Sequence, residues 1–397
     1  MRKVVREAAV AVTSLQKGCM LAGVLGFAVP LMAAVLPVDR ADALFHSYTG
    51  GGLTVNGPSI LVRKQMGDHV SAWGNYYVDS ITSATIDVDV LTGASTYTEE
   101  RVEKTFGLDF LRDKTTMGLA YTNSEEQDFS ADSAHFSITH SMFGDLTTVS
   151  LGYSRGSDEI WRSTQPRSSF LRRAKRQNFR LGLSQVMSKD LLMEVGLETV
   201  TDEGYLNNPY RSYSYVDPSD PLCITSRCYS TEVYPRTRTS HALALRGLYY
   251  LPYRAALKGE YRVFSDTWGI RASQYEIAYV HPTTNGWMFD FKYRYYSQTR
   301  ADFYRDLFSR KGEFEYMARD KELGTYSTQT FGVAASYEFL TRGWNFLDKG
   351  SVNLTLDHVR FKYQDFRDAR VENGNPGSEP LYGFSANVMR AFVSVWY

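Results

Sequence analysis

The sequence contains little cysteine and little proline, and neither sign of charge is in excess. Of 397 residues, 3 are Cys and 12 are Pro, and 44 basic side chains balance 44 acidic ones. A neutral chain lacks the clustered basic surface that contacts phosphates, which argues against a nucleic-acid partner. Aromatic side chains are abundant, at 14% of the residues with 28 Tyr. This abundance excludes a disordered chain, because disordered segments are poor in aromatics.

The amino-terminal residues differ from the rest of the chain. Several basic residues open the sequence, an uncharged run covers residues 18–38, and Ala41-Asp42-Ala43 supplies the small-x-small pattern that a signal peptidase recognises. We therefore predict a secretory signal peptide over residues 1–43, cleaved before Leu44, and a mature chain over residues 44–397. A membrane-spanning helix is the alternative, since about 20 apolar residues can cross a bilayer. Two prolines within the run favour cleavage.

Two cysteines remain in the mature chain, Cys223 and Cys228, in a turn-rich stretch. Export to an oxidising compartment favours a disulfide that closes this short loop. Metal binding is the alternative, but two thiols without neighbouring His or further Cys make a poor zinc site. We expect no metal and no cofactor.

The mature chain has no apolar run long enough for a membrane helix and no persistent helical stripe. Its dominant period is two. The odd positions from Trp287 to Tyr295 are all aromatic, while Asp290, Lys292 and Arg294 occupy the other face. Similar alternation recurs in residues 179–184, 191–198, 255–263 and 331–339. Such alternation indicates strands with one apolar and one polar face.

Segment lengths and connections distinguish a membrane barrel from a soluble sandwich. The segments run about 9 to 14 residues, whereas soluble strands have about 5 or 6 and tilted membrane strands about 9 to 11. Tight turns alternate with longer polar stretches near residues 79–99, 123–131, 155–174, 201–236, 300–325 and 364–382. We predict an all-β, transmembrane antiparallel β-barrel of about 16 strands, or 14, with short periplasmic turns and long outer loops, in the bacterial outer membrane.

The chain ends on one of these strands. Alternate residues after Gly383 are apolar, and the last residue is the aromatic Tyr397. This ending resembles the terminal signal of outer-membrane proteins, which the assembly machinery reads, although Phe is the commoner final residue. We expect the last strand to pair with the first and leave no edge. The expected partners are therefore outer-membrane lipid and the assembly machinery.

Two sets of polar residues are candidates for the interior. The first set lines the lumen from strand faces, either as a weakly selective pore or as salt bridges across a plugged interior: Arg180, Glu194, Glu198, Lys258, Glu260, Arg262, Asp290, Lys292 and Arg294. The second set lies in loops that fold inward: Asp79, Asp87, Asp89, Glu99, Glu100, Arg319, Asp320, Lys321 and Glu322. Carboxylates of the second set offer oxygen ligands suited to calcium. Pairing with lumen arginines is favoured, because it needs no special ligand geometry.

Three blocks stand out from the alternation: residues 76–89, 122–128 and 316–323. In these blocks the chain resembles a bacterial outer-membrane β-barrel family that is catalogued as a domain of unknown function. The resemblance covers nearly all of the mature chain. It implies the barrel fold and the compartment, and it carries over no substrate, cofactor or catalytic residue.

The sequence shows no catalytic motif. Its 7 His are isolated along the chain, and no G-x-S-x-G, His-x-Glu, Walker or Rossmann pattern is present. We therefore expect no enzymatic activity and predict a passive channel or transporter for small polar solutes. A structural or interaction barrel that partners periplasmic or surface proteins is the main alternative. An outer-membrane hydrolase is less favoured.

Overall fold

The protein is a closed antiparallel β-barrel. The computed structural model describes residues 35–83, 97–223, 226–340, 346–371 and 375–397. Within these ranges sixteen strands close the barrel, and two short strands form a separate sheet in a loop. The barrel strands are β1 (Arg40–Gly50), β2 (Leu53–Met66), β3 (Val70–Ser83), β4 (Tyr97–Arg112), β5 (Thr115–Glu125), β6 (Phe129–Met142), β7 (Thr147–Trp161), β8 (Leu171–Val186), β9 (Leu191–Gly204), β12 (Thr237–Tyr250), β13 (Ala256–Asp266), β14 (Arg271–Pro282), β15 (Trp287–Gln298), β16 (Tyr326–Leu340), β17 (Lys349–Arg367) and β18 (Leu381–Trp396). The predicted fold of 16 strands is confirmed.

The barrel closes between its first and last strands, which leaves no edge. β1 pairs with β18 from Arg40 opposite Trp396 to Gly50 opposite Ala386. Residues 40–43, which the sequence assigns to the signal peptide, therefore lie in β1 opposite residues 393–396. Cleavage before Leu44 stays a prediction, and it would shorten β1 by these four residues.

The two faces of the sheet differ in chemistry. One face carries large apolar side chains that are more than half exposed, such as Phe106, Leu119 and Phe331. The other face carries ion pairs that reach past a strand: Lys292 of β15 lies 2.9 Å from Asp357 of β17. Side chains from alternate strands converge on the concave side of a closed sheet, so the ion-paired face is the inner wall. The apolar face is the outer wall.

Several strands extend further than their hydropathy indicates. The loop predicted over residues 123–131 is a turn of residues 126–128, since β5 ends at Glu125 and β6 begins at Phe129. The loop predicted over residues 155–174 shortens to residues 162–170. Polar residues at these strand ends continue the hydrogen-bonded ladder beyond the apolar belt. Polarity there reflects a change of surroundings and not the end of a strand.

Three loops pack together over one end of the barrel, and we call them the cap: the described parts of residues 205–236, 299–325 and 368–380. The first loop contains the small sheet of β10 (Ser212–Tyr215) and β11 (Cys228–Thr231). The second contains a 3-10 helix, Lys321–Leu323. Among the described residues, no helix is long and apolar enough to cross a membrane.

Long-range contacts join the cap loops to one another and to the barrel. Val233 of the first loop bridges Met317 of the second. A buried apolar cluster, which includes Trp268, Tyr304 and Phe366, packs the cap against the strand ends. The cap is thus a folded layer with its own core.

Candidate functional site

A ladder of ion pairs covers the inner wall from β8 to β13. Glu198 accepts hydrogen bonds from Arg180 at 3.1 Å and from Arg262 at 3.0 Å. Arg262 lies on β13 and Glu198 on β9, so this pair reaches past β12. Both guanidinium groups are partly exposed, at 46% and 27% of the side chain. The wall is therefore charged and reachable by solvent, with opposite charges side by side.

Arg246 joins the next part of the ladder. Its guanidinium donates to Glu194 at 2.7 Å and to Glu260 at 2.5 Å. Arg246 is not among the lumen residues predicted from the sequence, although its position between the outward-facing residues Leu245 and Gly247 on a period-two segment assigns it to the polar face. One arginine thus neutralises two of the predicted lumen carboxylates.

Asp357 of β17 pairs with two cations on the part of the inner wall that β15 to β18 form. Its carboxylate lies 2.9 Å from Lys292 and accepts from Arg390 at 2.8 Å. Gly332 of β16 lies between Lys292 and Asp357 in the strand register. A Cβ atom at Gly332 would lie 2.2 Å from the Asp357 carboxylate and 2.7 Å from Cε of Lys292. Glycine leaves the space through which this ion pair crosses the strand.

The remaining candidates of the first set also lie on the inner wall. Arg294 donates to Glu276 at 2.6 Å, and Lys258 lies 3.6 Å from Asp290. All nine residues of that set are in ion pairs that run along the wall. The partners that sequence reasoning missed are Arg246, Glu276, Asp357 and Arg390.

A second polar group lies on β1, β3 and β4. Nε2 of His46 lies 2.7 Å from Asp79, which also accepts from the Tyr77 hydroxyl at 2.9 Å and lies 3.7 Å from Arg101. His46 is therefore not isolated in space, as it is in sequence. Asp79 lies on β3 rather than in an inward loop, because β3 continues as a polar strand to Ser83.

The predicted loop positions of the acidic residues that follow Asp79 in the sequence are also wrong where the structure describes them. Glu99 and Glu100 lie on β4 and not in a loop; Glu99 is buried and Glu100 is exposed. Asp87 and Asp89 lie outside the described residues.

Oxygen atoms of Glu99, Glu126 and Asp128 lie within 4.8 Å of one another. Three such carboxylates offer hard oxygen ligands of the kind that Ca²⁺ takes. The Arg101 guanidinium lies 3.9 Å from Glu126 and offsets part of their charge.

The cap contains a buried group of charges. Arg211 pairs with Asp320 at 2.5 Å. Glu232 accepts from the Tyr234 hydroxyl and from the backbone N–H of Arg319, both at 2.7 Å. Burial, with the nearby charge of Asp320, raises the pKa of Glu232 to about 7. Burial also raises the pKa of Tyr234 well above its usual range. These contacts tie the first cap loop to the second.

A second charged group joins all three cap loops. Arg227 pairs with Glu379 at 2.8 Å and with Asp306 at 3.2 Å. Burial alone would raise the pKa of Glu379, but the hydrogen bonds and positive charge of Arg227, together with hydrogen bonds from backbone N–H groups, hold that pKa below its usual value. Arg319 also pairs with Asp306, at 3.1 Å, and stacks over Phe366.

The residues 319–322 singled out in the sequence therefore lie in the cap. Lys321 is buried within it. The backbone carbonyl of Glu322 accepts from Gln298 at the end of β15, whose side chain shares the inner face with Arg294. The cap thus touches the inner wall at the barrel mouth. Cys223 and Cys228 form a disulfide in the first cap loop.

Comparison with known proteins gives distant structural likenesses. A bacterial polysaccharide outer membrane secretin has a TM-score of 0.45 at 9% identity, with 92% of this chain and 99% of that chain covered. OmpT of Vibrio cholerae has a TM-score of 0.42 at 10% identity, covering 91% and 100%. The CymD monoaromatic hydrocarbon channel has a TM-score of 0.42 at 9% identity, covering 98% and 94%. Likeness at this level carries no argument about function.

No functionally curated protein matches the sequence. A family model described as "Protein of unknown function (DUF3570)" matches residues 92–349, more than half of the chain. The chain therefore belongs to the DUF3570 family.

Proposed function

We propose that the protein is an outer-membrane channel through which small polar solutes diffuse passively. The observation that carries the proposal is the inner wall, where charged side chains from β8 round to β18 form ion pairs along the wall. Among the described residues, these pairs join strands that are adjacent or one strand apart, so they do not cross the barrel axis. A barrel of this strand number encloses room for water unless loops fill it.

The outer wall supports the membrane location. Rows of exposed apolar side chains surround the barrel, and every barrel strand has a partner on both sides. Such a surface is stable in hydrocarbon, because no backbone edge is left without hydrogen bonds. In barrels of this kind the longer loops lie outside the cell and the short turns in the periplasm, so the cap faces outward.

The paired charges give the proposed channel weak selectivity. Each anionic side chain of the ladder has a cationic neighbour, so a passing ion meets a nearly neutral wall. Water and small uncharged polar solutes can exchange hydrogen bonds with these groups as they pass. We therefore propose sugars and other small polar molecules as solutes, with no catalytic step.

The cap favours a second candidate, a closed barrel that serves as a structural or interaction partner for surface proteins. Its buried ion pairs and apolar cluster fix three loops over the mouth. In this alternative the ion-paired wall stabilises the barrel and transports nothing.

Liposome swelling separates the two candidates. We expect reconstituted protein to admit small sugars faster than larger ones, and an R211A/R227A variant with a loosened cap to admit both faster. If neither protein admits sugar while both run as folded, heat-modifiable barrels, the channel is rejected and the interaction barrel is supported. Hydrolysis of ester or peptide substrates that disappears in H46A would reject the proposed lack of catalysis.

A further inference from the structure

We propose that the outer wall binds a membrane lipid with a phosphorylated headgroup, in a groove flanked by Arg155 of β7 and Lys175 of β8. The inference rests on the membrane location proposed above, because it takes the cap end of the barrel to lie among lipid headgroups. It is independent of whether the lumen conducts.

The groove crosses four neighbouring strands on the outer wall. It has a volume of about 290 Å³ and extends from Tyr121 on β5 and Asp132 on β6 to Arg155 and Lys175. All four side chains are exposed. In the strand register, Arg155 lies opposite Ala134 and Lys175 lies opposite Ser157, which are outward-facing positions.

The groove begins where the outer wall changes from apolar to polar. Toward the cap end of β7, the outward-facing residues follow the order Leu151, Tyr153 and Arg155. Toward the same end of β8, the order is Leu181, Phe179, Gln177 and Lys175. Aromatic residues on membrane barrels mark the boundary between hydrocarbon and headgroups. The two cations therefore lie at the depth of lipid headgroups.

Arg155 and Lys175 are placed to converge on one anion. They are diagonal neighbours on adjacent strands, a relation that separates side-chain bases by roughly 7–8 Å, within reach of two long side chains. Within the described residues neither forms an ion pair, whereas the nearby Arg173 pairs with Glu159 at 3.0 Å. Unpaired cations next to hydrocarbon are costly, and a phosphate would neutralise both through charge-assisted hydrogen bonds.

Asp132 does not supply the missing counter-charge. Its carboxylate accepts from the Tyr121 hydroxyl at 2.5 Å and from the Asn123 amide at 3.0 Å. These two donors hold it on the β5 side of the groove. On the other side, Glu203 of β9 lies opposite Lys175 in the strand register, but within the described residues it forms no ion pair with Lys175. Arg155 and Lys175 therefore both remain available to an anionic group.

The surroundings favour a lipid over a free anion. Below the groove, the exposed side chains of Leu119, Phe136 and Leu151 form a continuous apolar surface on adjacent strands. Acyl chains can lie on this surface while the phosphate of the same molecule reaches Arg155 and Lys175. A free phosphate would use only the two cations.

Native mass spectrometry of the full folded chain in detergent, titrated with diphosphorylated lipid A, tests the proposal. We expect R155Q/K175Q to weaken binding at least tenfold. R360Q/K362Q is the matched control: it removes two exposed cations from the outer face of β17 near the same end, and we expect less than a twofold effect. Heat-modifiable migration verifies folding of both variants.

Equal weakening by the two variants would overturn the proposal, because it would indicate general attraction by surface charge. Binding of lipid A without phosphates as tightly as the diphosphorylated form would overturn the role of phosphate. Displacement of the lipid by millimolar inorganic phosphate would show a free-anion site and overturn the lipid. Selective loss in R155Q/K175Q from a barrel that conducts no current would support this inference and reject only the proposed channel.

Discussion

At the scale of single residues, Asp357 is a buried carboxylate of the inner wall that neutralises two cations. It pairs with Lys292 and Arg390, and its side chain is 7% exposed. We expect D357N to lower the free energy of unfolding by about 1–3 kcal/mol, because two partly buried cations lose their counter-charge. Urea unfolding in detergent measures the change. E338Q is the control, since Glu338 pairs with Lys349 but is 55% exposed, and we expect a loss below about 1 kcal/mol. Equal losses would contradict the role of burial.

Gly332 supports a second prediction about the same ion pair. We expect G332V to push Lys292 away from Asp357 and to lower the free energy of unfolding by about 1–3 kcal/mol. Gly196 is the matched control, because it also faces the interior and a Cβ there has open space within 4 Å. We expect G196V to be neutral or stabilising, as valine suits a strand better than glycine. Combining G332V with D357N should add little, since both variants remove the same pair.

The sequence predicted which residues face the interior far better than how they pair. Alternation alone assigned Arg180, Glu198 and Lys292 to the polar face, because a strand has a period of two. Their partners depend on register and on contacts past an intervening strand, as between Lys292 and Asp357. A single sequence contains no direct signal for such contacts. For the same reason the pairing of His46 with Asp79 was missed.

At the scale of elements, the strands were easier to predict than the loops. Long period-two segments with aromatic residues gave the strand number. The polar ends of β5 and β6 read as a loop in the sequence, because their residues leave the apolar belt while keeping strand hydrogen bonds. The cap could not be predicted, since its core joins residues as far apart as Arg211 and Asp320.

The cap should respond to pH through Glu232. Its pKa is about 7 when folded, against 4.5 for a solvated glutamate, so the folded cap keeps a proton that the unfolded segment loses between these values. The stability of the cap therefore falls as pH rises from about 4.5 to 7. The effect of Glu379 on cap stability has the opposite dependence on pH. Its pKa is lowered in the folded cap, so its stabilising contribution is lost as pH falls below about 4.5.

Hydrogen–deuterium exchange of the cap loops, corrected for intrinsic rates, tests this at pH 5 and pH 7.5. We expect less protection at pH 7.5 in the wild-type protein and no such difference in E232Q. D217N removes a half-buried acid from the same loop and should keep the wild-type dependence. An unchanged pH response in E232Q would contradict the assignment to Glu232.

At the scale of the whole molecule, the fold combines an apolar outer wall, an ion-paired inner wall and a cap at one end. The first two follow from alternation in the sequence, because each strand has one face for hydrocarbon and one for water. The cap lies at the barrel mouth, and its packing involves three loops that are distant in sequence. If the proposed channel exists, we expect its transport to depend on the cap more strongly than on any single residue of the wall.

Single-channel recording in planar bilayers tests the proposed channel most directly. We predict small, weakly ion-selective conductance for the wild-type protein and a several-fold larger conductance for R211A/R227A, in which the ion pairs of the cap to Asp320, Asp306 and Glu379 are removed. Absence of current from both proteins, each inserted as a folded barrel, would contradict the account.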